Sequence, residues 1–288
     1  MSLSLGNTSI GSIYLGPTKV GEAYIGGTKV YASVDPYNPL RLPPYTIRLK
    51  FTDGVTPTFS KGTAVQVSSS PNVWDLTYNN TDWKNLNSQH TDIVEVLGAN
   101  STGVTNMTYM FNYCTSIATV PLFDTRSVSD MSYMFNNCSS LTAVPLFNTS
   151  NVKDMTYMFN YCTLLTTVPL FDTSIVSNMS GMFRKCTSIA TAPLFDTRSV
   201  TSMTSMFSDC SSLTAVPLFN TNGAPTMNSM FYGCSAVQSG ALALYQQVST
   251  QAITPGHNTS TFKNCGINTV TGAAELAQIP SSWGGTGT

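Results

Sequence analysis

Six of the seven cysteines in this 288-residue chain, Cys114, Cys138, Cys162, Cys186, Cys210 and Cys234, follow one another at intervals of 24 residues. Thiols in register could form disulfides or hold a metal. A disulfide needs Cα atoms roughly 4.4–6.8 Å apart. Layers stacked at about the 4.8 Å strand spacing meet that condition, so distance alone does not exclude neighbour pairing. A zinc site needs four ligands converging tetrahedrally, whereas one thiol per layer makes a line, and no CxxC or HxxxH occurs. The opening Met1–Gly6 carries no basic start and no apolar run of signal length, so the expected thiols are reduced, small fillers of one recurrent core slot.

Other reactive groups are few. The two histidines, His90 and His257, lie in opposite end sections and in no G-x-S-x-G or HExxH context. Asp172 and Asp196 fall at equivalent repeat positions, and a pair of carboxylates is the equipment of a glycosidase. Adjacent layers would bring them close without a cleft wall to raise one pKa. The expectation is therefore a protein that is not an enzyme, with no cofactor and no metal.

A column of aromatics is the stronger candidate site. Phe123, Phe147, Phe171, Phe195 and Phe219 recur with Asp124, Asn148, Asp172, Asp196 and Asn220 beside them, and Arg126 and Arg198 nearby. Aromatic faces flanked by carboxylates and amides suit sugar rings. The competing reading is a Phe ladder stacked on itself, stiffening the array. A second set, Tyr109, Tyr113, Tyr133, Tyr157 and Tyr161, falls on the other half of each repeat and suits a protein contact or solvated cover.

These columns need a scaffold that repeats every 24 residues, and the text supplies one. The phrase V-x-x-M-x-x-M-F-x-x-C-x-x-L-x-x-V-P-L-F-D/N-T returns through most of residues 101–240. Within Leu141–Thr149 the spacing is that of a leucine-rich repeat. Parallel strands are expected at Val120–Phe123, Val144–Phe147, Val168–Phe171, Ala192–Phe195 and Val216–Phe219, with Val144 and Leu146 inward and Pro145 and Phe147 on a concave face. The Thr125, Thr149, Thr173, Thr197, Thr221 column is placed to satisfy backbone groups at each turn. Met131, Met134, Phe135 and Cys138 fall at i, i+3, i+4 and i+7, one face of a short helix. Asn106, Asp130, Asp154, Asn178, Ser202 and Thr226 precede those methionines and are all good N-caps. Helices are accordingly expected from Met107, Met131, Met155, Met179 and Met203. The fold class is then an α/β repeat, a leucine-rich-repeat-type solenoid of 24-residue strand–helix coils, whose purpose is an extended surface.

Residues 1–34 carry a shorter repeat of period ten: Leu5–Ile10, Leu15–Val20 and Ile25–Val30, each with a Gly-x-Thr turn. Strands as short as Ile13–Leu15 and Ala23–Ile25 cannot stand alone, so Tyr14, Leu15, Val20, Tyr24, Ile25 and Val30 are read as attachment and oligomerisation residues, three copies by preference. Residues 35–100 form a Pro-rich linker and a cap, with strands at Tyr45–Phe51, Ala64–Ser68 and Val73–Tyr78 and a short helix over Asp82–Leu86. Ile93–Ala99 reads as a degenerate first coil. Residues 241–288 close the array, with a helix at Gly240–Val248, a last half-coil at Phe262–Cys265 and a helix at Ala273–Ile279. Net charge is −1 and charged residues are 9% of the chain, giving no basic field for nucleic acid, and no stretch reaches membrane-span length.

The M-x-x-M-F-x-x-C and V-P-L-F-D/N-T phrases resemble the BspA-like leucine-rich repeats of bacterial and protist surface proteins, over about residues 93–240. That resemblance implies adhesion and ligand binding. The N-terminal L-G-x-T-x-V units resemble minor virion proteins of Bacteroidales phages, including crAss-like phages, over about 30 residues. Together they imply a virion fibre or appendage protein, made in the host bacterial cytoplasm and displayed on the virion surface. Its partners would be other virion proteins and a host-surface glycan or protein. A bacterial cell-surface adhesin and a purely structural capsid decoration protein are the alternatives. Cys138–Thr149 recurs unchanged at Cys210–Thr221, a copied three-repeat block that either neutral or adaptive lengthening produces.

Overall fold

A computed structural model describes residues 4–5, 8–9, 23–25, 28–31, 40, 42–59, 62–84, 91–223, 225–251 and 256–287. Near the N-terminus, β1 (Ser4–Leu5) pairs antiparallel with β2 (Thr8–Ser9), and β3 (Ala23–Ile25) with β4 (Thr28–Tyr31). The first and third decapeptide units are thus hairpins. The expected strand Ile13–Leu15, together with Val20, lies outside the described residues.

A four-stranded antiparallel sheet follows, ordered β6 (Thr63–Ser69), β7 (Asn72–Thr77), β5 (Thr46–Phe51), β8 (Ile93–Asn100). Period-two alternation in β5 buries Ile47, Leu49 and Phe51, while Arg48 on the opposite face holds Asp75 of β7 through two bonds of 2.6 and 2.7 Å. The strand at Ile93–Asn100 is therefore not a first coil, because it pairs antiparallel with β5 from Thr46 to Phe51. Of the short helix expected over Asp82–Leu86, Asp82–Lys84 are non-helical, and Leu86 lies outside the described residues.

The 24-residue repeats do stack, but not as strand–helix coils, and the leucine-rich-repeat solenoid is overturned. Among the described residues the only α-helices are α1 (Ala241–Ser249) and α2 (Val270–Leu276), both after the repeats, and no strand lies between residues 101 and 240. Each repeat is instead a rung of turns, joined to its neighbours by single parallel bridges that link Asp82, Asn106, Asp130, Asp154, Asn178, Ser202 and Thr226 in series.

Backbone accounting explains why no helix forms. The N–H groups of Met107, Tyr109, Phe111 and Tyr113 donate across to the carbonyls of Asp130, Ser132, Met134 and Asn136 on the next rung. The intervening Met110, Asn112 and Cys114 close turns onto the carbonyls three residues back. Alternate donors thus serve the sheet-like stack and the local turn, where a helix would send every one to i−4. The turns require left-handed residues, and Tyr109 and Tyr113 have φ of 58° and 62°. The same two columns continue through Tyr133 and Asn137, Tyr157 and Tyr161, and Gly181 and Lys185. The N-cap residues keep their chemistry: Asn106, Asp130 and Asp154 each accept the N–H two residues on, at 2.7–2.8 Å.

The expected strands fail because each carries a proline at its second position, which has no N–H for a ladder. The chain folds back there, with the Phe147 N–H reaching the Pro145 carbonyl at 3.0 Å, and Phe195 and Phe219 doing the same with Pro193 and Pro217. That tight turn puts Val144 and Phe147 inward and leaves Leu146 outside.

One continuous apolar cluster runs from the sheet through the rungs to Trp283. The far end is closed by residues 256–287. There Phe262 stacks on Phe231 at 6.1 Å as a last half-rung, and Trp283 stacks on Phe262. The Glu275 carboxylate of α2 accepts the N–H groups of Gly240 and Leu242 at the start of α1, where the unpaired amides favour an anion.

Candidate binding face of the repeat array

The phenylalanines expected to line a concave ligand surface are core residues. Phe123, Phe147, Phe171, Phe195 and Phe219 are at most 2% exposed. Phe123 stacks on Phe147 at 5.9 Å, and Phe147 on Phe171 at 6.3 Å. They also abut a deeper ladder, Phe111, Phe135, Phe159, Phe183, Phe207 and Phe231, with centroids 5.3–5.6 Å apart. The phenylalanines point inward where a concave face was expected, stacking on one another from Phe123 to Phe171 and, at Phe195 and Phe219, on Phe183 and Phe207 of the deeper ladder, so they offer no face to a sugar.

What the turn exposes is leucine. Leu146, Leu170, Leu194 and Leu218 are 61%, 62%, 61% and 51% exposed, one per rung, whereas the Met, Phe and Cys columns beneath are buried. A shallow depression of about 350 Å³ opens between Leu146 and Leu170, lined also by Asn148, Ser150 and Asp172. The strand spacing places this leucine column in the core, and the structure places it in water. The proline before each leucine was the signal that could have reversed the core placement.

The polar residues beside the strip are occupied locally. Asn148, Asp172 and Asn220 accept the N–H groups two residues on. Asp124 and Asp196 do likewise and also hold Arg126 and Arg198 in two-pronged pairs. Arg126 holds the Asp124 carboxyl below its ordinary range, Arg198 does the same for Asp196, and hydrogen bonds from Ser174 do so for Asp172. Groups kept anionic in this way are poor general acids. The threonine column behaves as expected from sequence. Thr125, Thr149, Thr173 and Thr197 each donate to a carbonyl of the next rung at 2.7–2.8 Å. Gln247 and Gln251 donate to Thr221, the last threonine of the column.

All seven cysteines are free and buried. From Cys138 to Cys234 each thiol points at the carbonyl of the phenylalanine 27 residues before it, at 3.0–3.1 Å. Burial pushes every thiol upward, Cys265 to about 12. Among the described residues no three His, Cys, Asp or Glu side chains converge as a metal site would require. His90 lies outside the described residues, and the His257 carbonyl accepts the Met227 N–H in the last half-rung. The attachment residues Tyr14, Leu15 and Val20 also lie outside. Tyr24, Ile25 and Val30 fall on the β3–β4 hairpin, with Tyr24 opposite Lys29.

This rung architecture coincides with a known repeat family, described as a Mycoplasma protein of unknown function, DUF285, whose model matches residues 80–189 and 166–255. The chain belongs to the DUF285 family. At the level of a repeat family this agrees with the resemblance to BspA-like surface proteins. The DUF285 match leaves out the decapeptide units, so the resemblance to virion proteins gains no support from it. No curated protein and no solved structure matches the chain.

Proposed function

We propose that this chain is an adhesion protein of a bacteriophage particle, with the DUF285 array as the displayed head and the N-terminal hairpin units as its attachment. The observation that supports adhesion is the leucine strip. An apolar side chain left in water on four successive rungs adds nothing to the core, and contiguous apolar surface rimmed by polar groups is characteristic of macromolecular contact sites. Leu141–Phe147, Leu165–Phe171, Ile189–Phe195 and Leu213–Phe219 hold no charged residue, so the strip is uncharged along its length, and Asp172 at its edge is the ion that a host-surface protein or glycan docking between Leu146 and Leu170 meets. Attachment rests on the hairpins β1–β2 and β3–β4. Pairs this small are not stable alone in water, and copies from three chains supply the missing packing.

A second reading, a bacterial cell-surface adhesin, is favoured by membership of DUF285, which covers the array and not the hairpins. An antibody to residues 101–240 applied to intact particles and to intact bacteria separates the two. Labelled particles are the expected result, and labelling of the bacteria alone would overturn the virion reading.

A further inference from the structure

Three columns change together at one rung, and the next carries Ser205, Ser208 and Asp209 in their place. Asn112, Asn136 and Asn160 form an amide ladder, the Asn136 side chain donating to Asn112 Oδ1 at 2.7 Å and Asn160 to Asn136 Oδ1 at 2.6 Å. The next residue in that column is Arg184, so the ladder stops and the Asn160 Oδ1 is buried without a hydrogen-bond partner. Tyr109, Tyr133 and Tyr157 stack at 4.5 and 5.1 Å. Gly181 ends that stack, and its backbone lies against the Tyr157 ring. Lys185 takes the left-handed position held by tyrosine or asparagine on the three rungs before it. Orphaning a buried amide oxygen costs stability, and a local rule broken at such a cost points to a functional site.

The result is an uncompensated cationic pair. Among the described residues Arg48, Arg126 and Arg198 each hold an aspartate in an ion pair, while Arg184 and Lys185 form none. Lys185 Nζ sits 4.5 Å from the centroid of the Tyr161 ring and donates to its hydroxyl at 2.6 Å, and the Arg184 guanidinium lies 5.6 Å from the same ring. Both cations lower the Tyr161 hydroxyl from its ordinary value, the Lys185 hydrogen bond most. Asp209 follows Lys185 in its column, and its carboxylate accepts from Ser208 Oγ at 3.4 Å.

We propose that Arg184, Lys185 and Tyr161 form a binding site for the anionic group of an acidic sugar, a carboxylate or a sulfate ester. A guanidinium without a carboxylate offers a planar two-donor fork to such a group, and the Tyr161 hydroxyl, which accepts from Lys185, keeps its own hydrogen to donate to a sugar oxygen. A nucleic acid would need several phosphate contacts, and one cationic pair on a chain of net charge −1 supplies too few.

The site lies on the turn segment of the rung, away from the leucine-bearing segment, and does not depend on the adhesion reading. Its test is calorimetric titration of the full chain with a galacturonate trisaccharide, a sulfated galactan oligosaccharide and neutral galactotriose. Binding of one or both acidic probes is expected, the stronger identifying carboxylate or sulfate as the group, with at least tenfold weaker binding of the neutral one. R184N/K185Y installs the residues of the preceding rung, Asn160 and Tyr161, and so suits the fold. It should weaken acidic binding at least tenfold with the melting temperature held or raised. Equal affinity for all three probes, no binding at millimolar concentration, or acidic binding unchanged in R184N/K185Y would overturn the proposal.

Discussion

Cys162 Sγ lies 3.1 Å from the carbonyl oxygen of Phe135, on the rung before its own. That oxygen already accepts the Cys138 N–H at 3.1 Å, so the thiol serves its second lone pair. This gives the cysteine column a reason beyond size, since alanine would fill part of the slot and leave the contact unmade. Cys162→Ala should cost about 1–3 kcal/mol from the lost donor and the small void, measured by chemical denaturation. A Cys162→Ala protein as stable as the parent would show that the thiol is only filler.

Burial with raised pKa also makes the thiols unreactive. Thiol titration at mild alkaline pH should find almost none in the native protein and all seven in denaturant without reductant. Rapid native reaction would contradict the buried column.

The left-handed columns hold stability in reserve. Ser205 has φ of 56°, a conformation that costs a side-chain-bearing residue free energy and glycine little. Ser205→Gly should stabilise by about 0.5–1 kcal/mol, and Ser205→Val should destabilise by more than about 1 kcal/mol. Thermal melts of the pair check this, and the reverse order would rule out the turn geometry.

Asp124 is nearly buried and pairs with Arg126 through two bonds of 2.8 and 2.9 Å. Its pKa is lowered on folding, chiefly by the Arg126 hydrogen bond. The stabilisation is therefore present above the unfolded carboxyl's pKa and is lost as pH falls through the folded value. Asp124→Asn should be less stable than the parent at pH 7 by about 1 kcal/mol, with the gap closing below about pH 4. A gap that persists into acid would assign the loss to packing.

The 24-residue period, the Met, Phe and Cys columns of the core, the threonine ladder and the helix after Gly240 were legible in the sequence, because each depends on residue type at fixed spacing. The identity of the elements was not. Spacing of i, i+3, i+4 and i+7 fits a helix, but it also fits turns whose alternate N–H groups leave for the next rung, and periodicity does not count donors. Gly181, Gly233, Asn137 and Asp209 in the left-handed columns were the sign that a helix was wrong. The prolines 121, 145, 169, 193 and 217 were the corresponding sign against strands. Reading them as strand residues sent the phenylalanines outward and the leucines inward, and so misplaced the candidate site.

On the proposed function, the strip of Leu146, Leu170, Leu194 and Leu218 is a contact surface that the fold itself does not need. The most direct measurement is binding of fluorescently labelled full-length protein to intact host cells, comparing the parent with Leu170→Glu/Leu194→Glu. Val270→Glu serves as the control, altering a residue 89% exposed outside the strip. Exposed substitutions of this kind should change stability by no more than about 0.5 kcal/mol each. The double variant should therefore melt near the parent and bind at least tenfold more weakly, while the control binds as the parent does. A folded double variant that binds as well as the parent would contradict the claim.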